Sequence, residues 1–221
     1  MEIGSTARRE GPENAPGIER EDDLLLAKRL AEEGRTIVLV EGLSDKAALE
    51  ALAKRRGHNL HDEGITTIAI GGATKIWGFL NLLGPLGLNI KLTGLCDIGE
   101  ERHFRRALQR AGFQSNLTRS DMERLGFYIC DADLEDELIR SLGVNAMLEL
   151  IAAHGDLGRF RLFQRQPEWK GQGKTAQLRR WLGTTAHRKI SYAKLLVNAL
   201  DLGRVPAPLE RLLARLGPFN Q

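Results

Sequence analysis

The chain has 221 residues, of which 42% are hydrophobic and 28% charged, with a formal net charge of +3. That profile describes an ordinary globular protein of one or two domains, long enough to bury a core without disulfide or metal staples. It excludes a membrane-spanning chain, since no apolar run approaches the roughly 20 residues a span requires. It also excludes a cysteine framework: Cys96 and Cys130 are the only two cysteines, each closes an apolar run and neither has a CxxC neighbour, as expected of reduced core residues in a cytoplasmic protein.

The opening 20 residues are polar, rich in Gly and Pro and without an apolar signal core, so they read as a flexible tail over 1–20. DDLLLAKRLAEEG (22–34) has helical spacing and ends on Gly. TIVLVEG (36–42) is a strand with its turn, and Ser44 is the expected N-cap of a helix over 45–57 closed by Gly57. ITTIAIG (65–71) is a second strand, and Gly71-Gly72 leads into a helix over 73–84. NIKLTGLCD (89–97) is a third strand, followed by a helix over 100–112. GFYICDADLEDELIRSLG (126–143) repeats the pattern of strand, acidic turn, helix and Gly. Strands alternating with helices in this way predict an α/β fold, a parallel sheet with helices on both faces. After Gly143 strand signals fade and helices are expected over 144–154, 174–182, 187–200 and 206–216.

Three of the four strands end on an acid: Glu41, Asp97 and the Asp131–Asp133 turn. The carboxyl ends of parallel strands are where open α/β sheets keep their sites. Glu41 and Asp45 are separated by a tight turn, across which their carboxylates can converge; Asp45 equally suits the positive end of a helix. Asp97 is followed by Glu100 and Glu101, and an N-capping role competes with metal binding there. In the fourth turn, Asp133 and Glu135 alternate toward the site, whereas Asp136 and Glu137 fall on the helix. Acids crowded in this way repel one another unless solvent, basic groups or a cation screens them. Three acidic clusters at one sheet edge suit one or two hard cations, Mg²⁺ or Mn²⁺, held by carboxylates and water. Zinc would favour His or Cys, and the five histidines show no ligand spacing.

VEGLSD, IGGATKI and GLCDIG together resemble the TOPRIM domain of topoisomerases, primases and related nucleases. DLEDELIRSLG and HRKISYAKLL further resemble the overcoming-lysogenisation-defect (OLD) family of nucleases, in particular short, stand-alone TOPRIM nucleotidyl transferase/hydrolase-like forms without the ATPase domain. The resemblance spans about residues 35–203 and implies a TOPRIM-like (Rossmann-like) fold over 21–143, with a leading helix and a helical, basic C-terminal extension over 144–221. It implies a metal-dependent DNA endonuclease or nickase. Glu41 and Asp45 would serve one metal, Asp97 would lie between two, and Asp133 and Glu135 would serve the second. Lys189 matches a basic residue near the scissile phosphate, so Glu41 and Lys189 are the expected catalytic pair. One departure stands out: the second Asp of the usual Asp-x-Asp is Gly99 here. Glu100 and Glu101 are the substitute ligands within reach.

The charge distribution adds a nucleic-acid expectation. Acids gather between Asp97 and Glu137, whereas 156–194 is strongly basic, with Asp156 and Glu168 its only acids. Arg159, Arg161, Arg165, Lys170, Lys174 and Arg188 are the expected backbone-gripping residues, reading charge rather than sequence. A charge run is also what a solvated face looks like. GQGKT (171–175) lacks the strand and first glycine of a phosphate-binding loop. Among the tryptophans, Trp77 and Trp181 sit at core spacing and Trp169, in a polar stretch, is the base-stacking candidate. Expected partners are DNA, a separately encoded ATPase and a second copy of the chain, with no membrane. A catalytically weak binding module and a nucleotidyl or phosphoryl transferase are the competing functions.

Overall fold

The computed structural model describes residues 29–30 and 33–217. The expected tail lies outside them, as does the expected helix over 22–34 except at residues 29–30 and 33–34. Strands β1 (Thr36–Val40), β2 (Ile65–Ala69), β3 (Leu92–Asp97) and β4 (Phe127–Cys130) form one sheet in the order β2-β1-β3-β4, all neighbours parallel. Ten α-helices accompany them among the described residues: α1 (Leu43–Arg55), α2 (Ile76–Leu83), α3 (Glu101–Arg110), α4 (Arg119–Leu125), α5 (Leu134–Leu142), α6 (Val144–Ala153), α7 (Leu157–Gln164), α8 (Lys174–Leu182), α9 (Ala186–Ala199) and α10 (Ala207–Leu216).

Side chains alternate across a strand, so each face of the sheet seeds its own core. Ile37 and Leu39 of β1, Cys96 of β3 and Phe127 and Ile129 of β4 pack beneath α2, α3 and α4. Val38, Val40, Leu95, Tyr128 and Cys130 face the other way, beneath α1 and the helices from α5 onward. The C-terminal helices thus share a core with the sheet. Both cysteines are free and buried, and burial pushes both thiols up. No helix among the described residues is long and apolar enough to cross a membrane.

The strands are brought close at Gly94, where an added Cβ would lie 2.7 Å from the Leu39 carbonyl oxygen and 2.9 Å from the Phe127 ring. Only hydrogen fits there.

Several local expectations are adjusted. The N-cap of α1 is Gly42, not Ser44: Asp45, in the first turn, accepts the Gly42 N–H at 2.9 Å and so holds the turn itself. The expected helix over 73–84 begins as a 3₁₀ turn, Ala73–Lys75, before α2. Helices α4 and α7 carry no sequence expectation. A capping box in which Thr118 and Asp121 bond each other's backbone N–H starts α4. GQGKT follows α7 and a turn rather than a strand, and its Lys174 opens α8.

Candidate metal and phosphate site

The acids arrive at the carboxyl edge of the sheet by register. Val40 pairs with Leu95 and Asp97 with Cys130, which brings the ends of β1, β3 and β4 together. Glu41 lies one residue beyond β1 and serves two neighbours. Its backbone carbonyl accepts the N–H groups of Gly71 and Gly72 at 3.0 and 3.2 Å, fixing the turn after β2. Both glycines have positive φ, 74° and 117°, which side-chain-bearing residues rarely adopt. Its side-chain Oε1 accepts the Asp97 N–H at 2.9 Å.

These carboxylates feel one another. Asp97 is pushed up to about 8, first by burial and then by the charges of Glu41, Asp45, Asp133 and Glu135. Asp45, also buried, is raised to about 6 despite the Gly42 N–H and Lys189. Glu135, just 3% exposed, is raised to about 7 by burial and by Asp45 and Asp133, against the pull of Lys189. Glu41 is raised too, chiefly by burial, with Glu100 and Glu135 adding to it against the Asp97 N–H and Lys189. The five predicted ligands therefore share one electrostatic neighbourhood.

Two basic side chains border this cluster. Lys189, in the first turn of α9, places Nζ 3.2 Å from Glu135 Oε2. Burial pulls its pKa down, but Glu135, Asp45 and Asp97 more than reverse this, so the net shift is upward and Lys189 stays an ammonium. Arg179 of α8 donates from Nε to Asp133 Oδ2 at 2.5 Å, while Asp133 Oδ1 caps α5 by accepting the Asp136 N–H at 2.8 Å. Arg179 belongs to the basic run, but it is absent from the predicted site residues. Its i,i+46 pairing with Asp133 has no local sequence signal.

The position of Lys189 depends on how α9 is held. Arg55, at the end of α1, donates to the carbonyls of Val197 and Leu200, both at 2.7 Å. An arginine there satisfies carbonyls at the end of α9 and complements its negative pole.

The remaining acids turn elsewhere. Asp136 and Glu137 pair with Arg140 at 2.7 and 3.0 Å, and Glu137 also accepts the Asp131 N–H at 3.0 Å. Asp131 pairs with Arg119 at 2.9 Å. Glu101 is tied to Arg105 at 3.1 Å, while Glu100 pairs with His103 at 2.9 Å. Of the two substitutes, Glu100 is the one whose charge acts on Glu41.

Of the predicted phosphate-gripping residues, Arg161, Arg165, Lys170 and Lys174 are exposed. Arg159 is exposed and pairs with Asp156 at 2.9 Å. Arg188 instead turns inward, stacking its guanidinium 4.2 Å over the Trp181 ring and donating to the Trp181 carbonyl at 3.1 Å. Trp181 is buried, and Trp77 is half-buried beneath the Arg110 guanidinium at 4.0 Å.

The donor set is all oxygen, the ligand type that a hard divalent cation takes. Among the described residues, no group of three or more His, Cys, Asp or Glu side chains is placed so that it could hold a metal ion as the side chains stand. A cation reaching Glu135 or Asp133 competes with Lys189 or Arg179.

Residues 34–98 match the family model described as "Overcoming lysogenization defect protein-like, TOPRIM domain". Among solved structures, the C-terminal region of the Burkholderia pseudomallei OLD protein aligns at 20% identity with a TM-score of 0.62, covering 82% of this chain and 96% of that one. The C-terminal region of the Xanthomonas campestris pv. campestris OLD protein aligns at 23% identity, also with a TM-score of 0.62, covering 82% and 93%. No curated protein matches by sequence. Residues 34–98 are thus similar to OLD-like TOPRIM domains, and the chain has the fold of the C-terminal regions of OLD proteins.

Proposed function

We propose that the protein is a divalent-cation-dependent nuclease that hydrolyses phosphodiester bonds in DNA. The observation that carries this reading is the convergence of Glu41, Asp45, Asp97 and Glu135 on one sheet edge, where each is held above its ordinary pKa and Lys189 stands among them. Glu41, Asp45, Asp97, Asp133 and Glu135 would hold one or two Mg²⁺ or Mn²⁺ ions, which when bound polarise a phosphoryl oxygen and make water nucleophilic near neutral pH.

The chain's own residues account for the rest of the reaction. Water adds across one P–O bond, giving a phosphomonoester and an alcohol. Lys189 offers an ammonium beside the carboxylates, where charge developing on the phosphoryl oxygens needs a donor. Glu41, fixed by the Asp97 N–H, presents its second oxygen from a rigid strand end. The exposed cations of α7, α8 and the turn between them would hold the DNA backbone irrespective of sequence.

The test is incubation of supercoiled plasmid with Mn²⁺ or Mg²⁺. Nicking is expected from the wild type and should vanish in both Glu41→Ala and Asp97→Ala; nicking that survives either substitution overturns the assignment.

A second reading draws on Gly99 and on the occupied oxygens of Asp133 and Glu135. With one ligand missing and two ion-paired, the domain would serve as a nucleic-acid-binding module or the partner of a separately encoded ATPase, or would act as a nucleotidyl or phosphoryl transferase. Metal-independent DNA binding without cleavage in the same assay favours the module.

A further inference from the structure

A cavity of about 420 Å³ opens directly beside the acidic edge. It is lined by Asp133, Glu135 and Lys189, already placed in the site, and by Trp169, Arg179 and Arg180. We propose that this cavity is a nucleobase subsite, in which the base next to the scissile phosphate stacks on Trp169 while Arg180 meets the adjoining phosphate. The proposal rests on the nuclease reading for its substrate, but its physical basis is separate.

Three observations support it. First, Trp169 is built in rather than loose. Its ring stacks on Phe163 with centroids 5.4 Å apart and planes 25° from parallel. Its backbone carbonyl accepts from Gln177 Nε2 at 2.7 Å, and the Gln177 side-chain oxygen accepts from Gln164 at 2.6 Å. Gln177 is 5% exposed. A buried amide relay therefore fixes the turn that carries the tryptophan, so the ring is ordered before any ligand arrives.

Second, Trp169 is only half-buried and lines the cavity, so part of the residue is open to another planar group. Third, Arg180 is exposed and makes no ion pair or side-chain hydrogen bond among the described residues, whereas its neighbour Arg179 is committed to Asp133. An aromatic surface with a free guanidinium beside it, opening onto an ammonium and a carboxylate cluster, matches base, backbone and reacting phosphate in turn. Stacking of this kind is tolerant of base identity, because every base has a π-face.

Binding in EDTA separates this proposal from the cleavage reading. Fluorescence anisotropy would compare a labelled oligothymidylate with a sugar-phosphate oligomer of equal length lacking bases. The wild type should bind the base-bearing strand about tenfold more tightly. Trp169→Ala should remove that preference while leaving affinity for the abasic strand unchanged, and Trp169→Phe should retain most of it. Arg180→Ala should weaken both strands equally. Equal wild-type affinity for the two strands overturns the subsite without any variant. A loss in Trp169→Phe as large as that in Trp169→Ala, or equal weakening of both strands in Trp169→Ala, assigns Trp169 to packing alone and overturns it as well. A base preference that persists when plasmid nicking is absent keeps the subsite and rejects the nuclease.

Discussion

Glu41 Oε1 accepts the backbone N–H of Asp97 at 2.9 Å, so the carboxylate that ends β1 is pinned to the residue that ends β3. One oxygen is structural, and under the nuclease reading the other would serve the reaction. Glu41→Gln and Glu41→Ala should therefore separate the two roles. The glutamine keeps a carbonyl oxygen for the Asp97 N–H and should leave the melting temperature within about 2 °C of wild type. Alanine orphans a partly buried donor, a loss of about 1–3 kcal/mol, and should lower it by several degrees. Both should cut nicking by at least about a hundredfold. Activity retained by the glutamine variant would show that the charge of Glu41 is dispensable.

The elevated acids make a signed prediction about pH. Asp97 is raised to about 8, Glu135 to about 7 and Asp45 to about 6, while in the unfolded chain such groups titrate near 4. Between about pH 4 and pH 8 the folded state thus holds more protons than the unfolded state, so these groups make stability fall as pH rises through that window. Asp97→Asn should raise the melting temperature at pH 8, by about 3 °C, and change it little at pH 4. A larger gain at pH 4 than at pH 8 would contradict the sign.

The same linkage governs divalent-cation binding. Ions that bind the ionised carboxylates must displace their protons, so affinity should climb between pH 6 and pH 8. Thermal melts with and without Mn²⁺ provide the readout, because a ligand of the folded state raises the midpoint with its concentration. The stabilisation should be several degrees at pH 8 and close to zero at pH 5. Glu41→Ala should abolish it. An equal effect at both pH values would place the ion elsewhere.

Much of this edge could be read from the chain itself. The apolar runs that form β1, β3 and β4 end abruptly on Glu41, Asp97 and Asp131, and a strand with its terminal residue is a local pattern. The glycines closing α1 and α5 were equally local, and α8 begins at Lys174 as its spacing predicts. Ser44 and Gly42 both satisfy the sequence rule for the α1 cap, and the Asp45 side chain decides between them. Helix α4 did carry a signal, the Thr118–Asp121 capping box, in a stretch with too few apolar repeats to draw attention. What sequence could not supply was the second wall of the site. Arg179 reaches Asp133 across 46 positions and Arg55 reaches α9 across more than 140. Such pairings exist only after the helices have packed.

The Arg55 clamp makes that distant packing testable. Arg55→Met removes two charge-assisted hydrogen bonds at 2.7 Å to the end of α9, each worth about 1.5–3 kcal/mol. The melting temperature should fall by roughly 5–10 °C. Since α9 also carries Lys189, nicking at a temperature where the variant is fully folded should fall too, about tenfold, from misplacement of the ammonium. A destabilised variant with full activity would show that α9 holds its place without the clamp.

Lys189 and Glu135 form the most informative pair, because their roles in folding and reaction have opposite symmetry. Glu135 is almost wholly buried and Lys189 Nζ is its 3.2 Å partner. Lys189→Met leaves that carboxylate without its cation, so the Glu135 pKa should rise further and the variant should be less stable than wild type at pH 8. Near pH 5 the same carboxylate is protonated and the loss should largely disappear. Adding Glu135→Gln to Lys189→Met removes the unpaired charge, so the double variant should regain most of the stability at pH 8, as expected when both members of a buried pair are neutralised. Activity should show no such recovery, because the double variant lacks both the Lys189 ammonium and the Glu135 carboxylate that the nuclease reading needs: both variants should stay at least about a hundredfold below wild type. A double variant that recovers nicking along with stability would reduce Lys189 to a structural counter-ion and remove Glu135 from the metal-holding set.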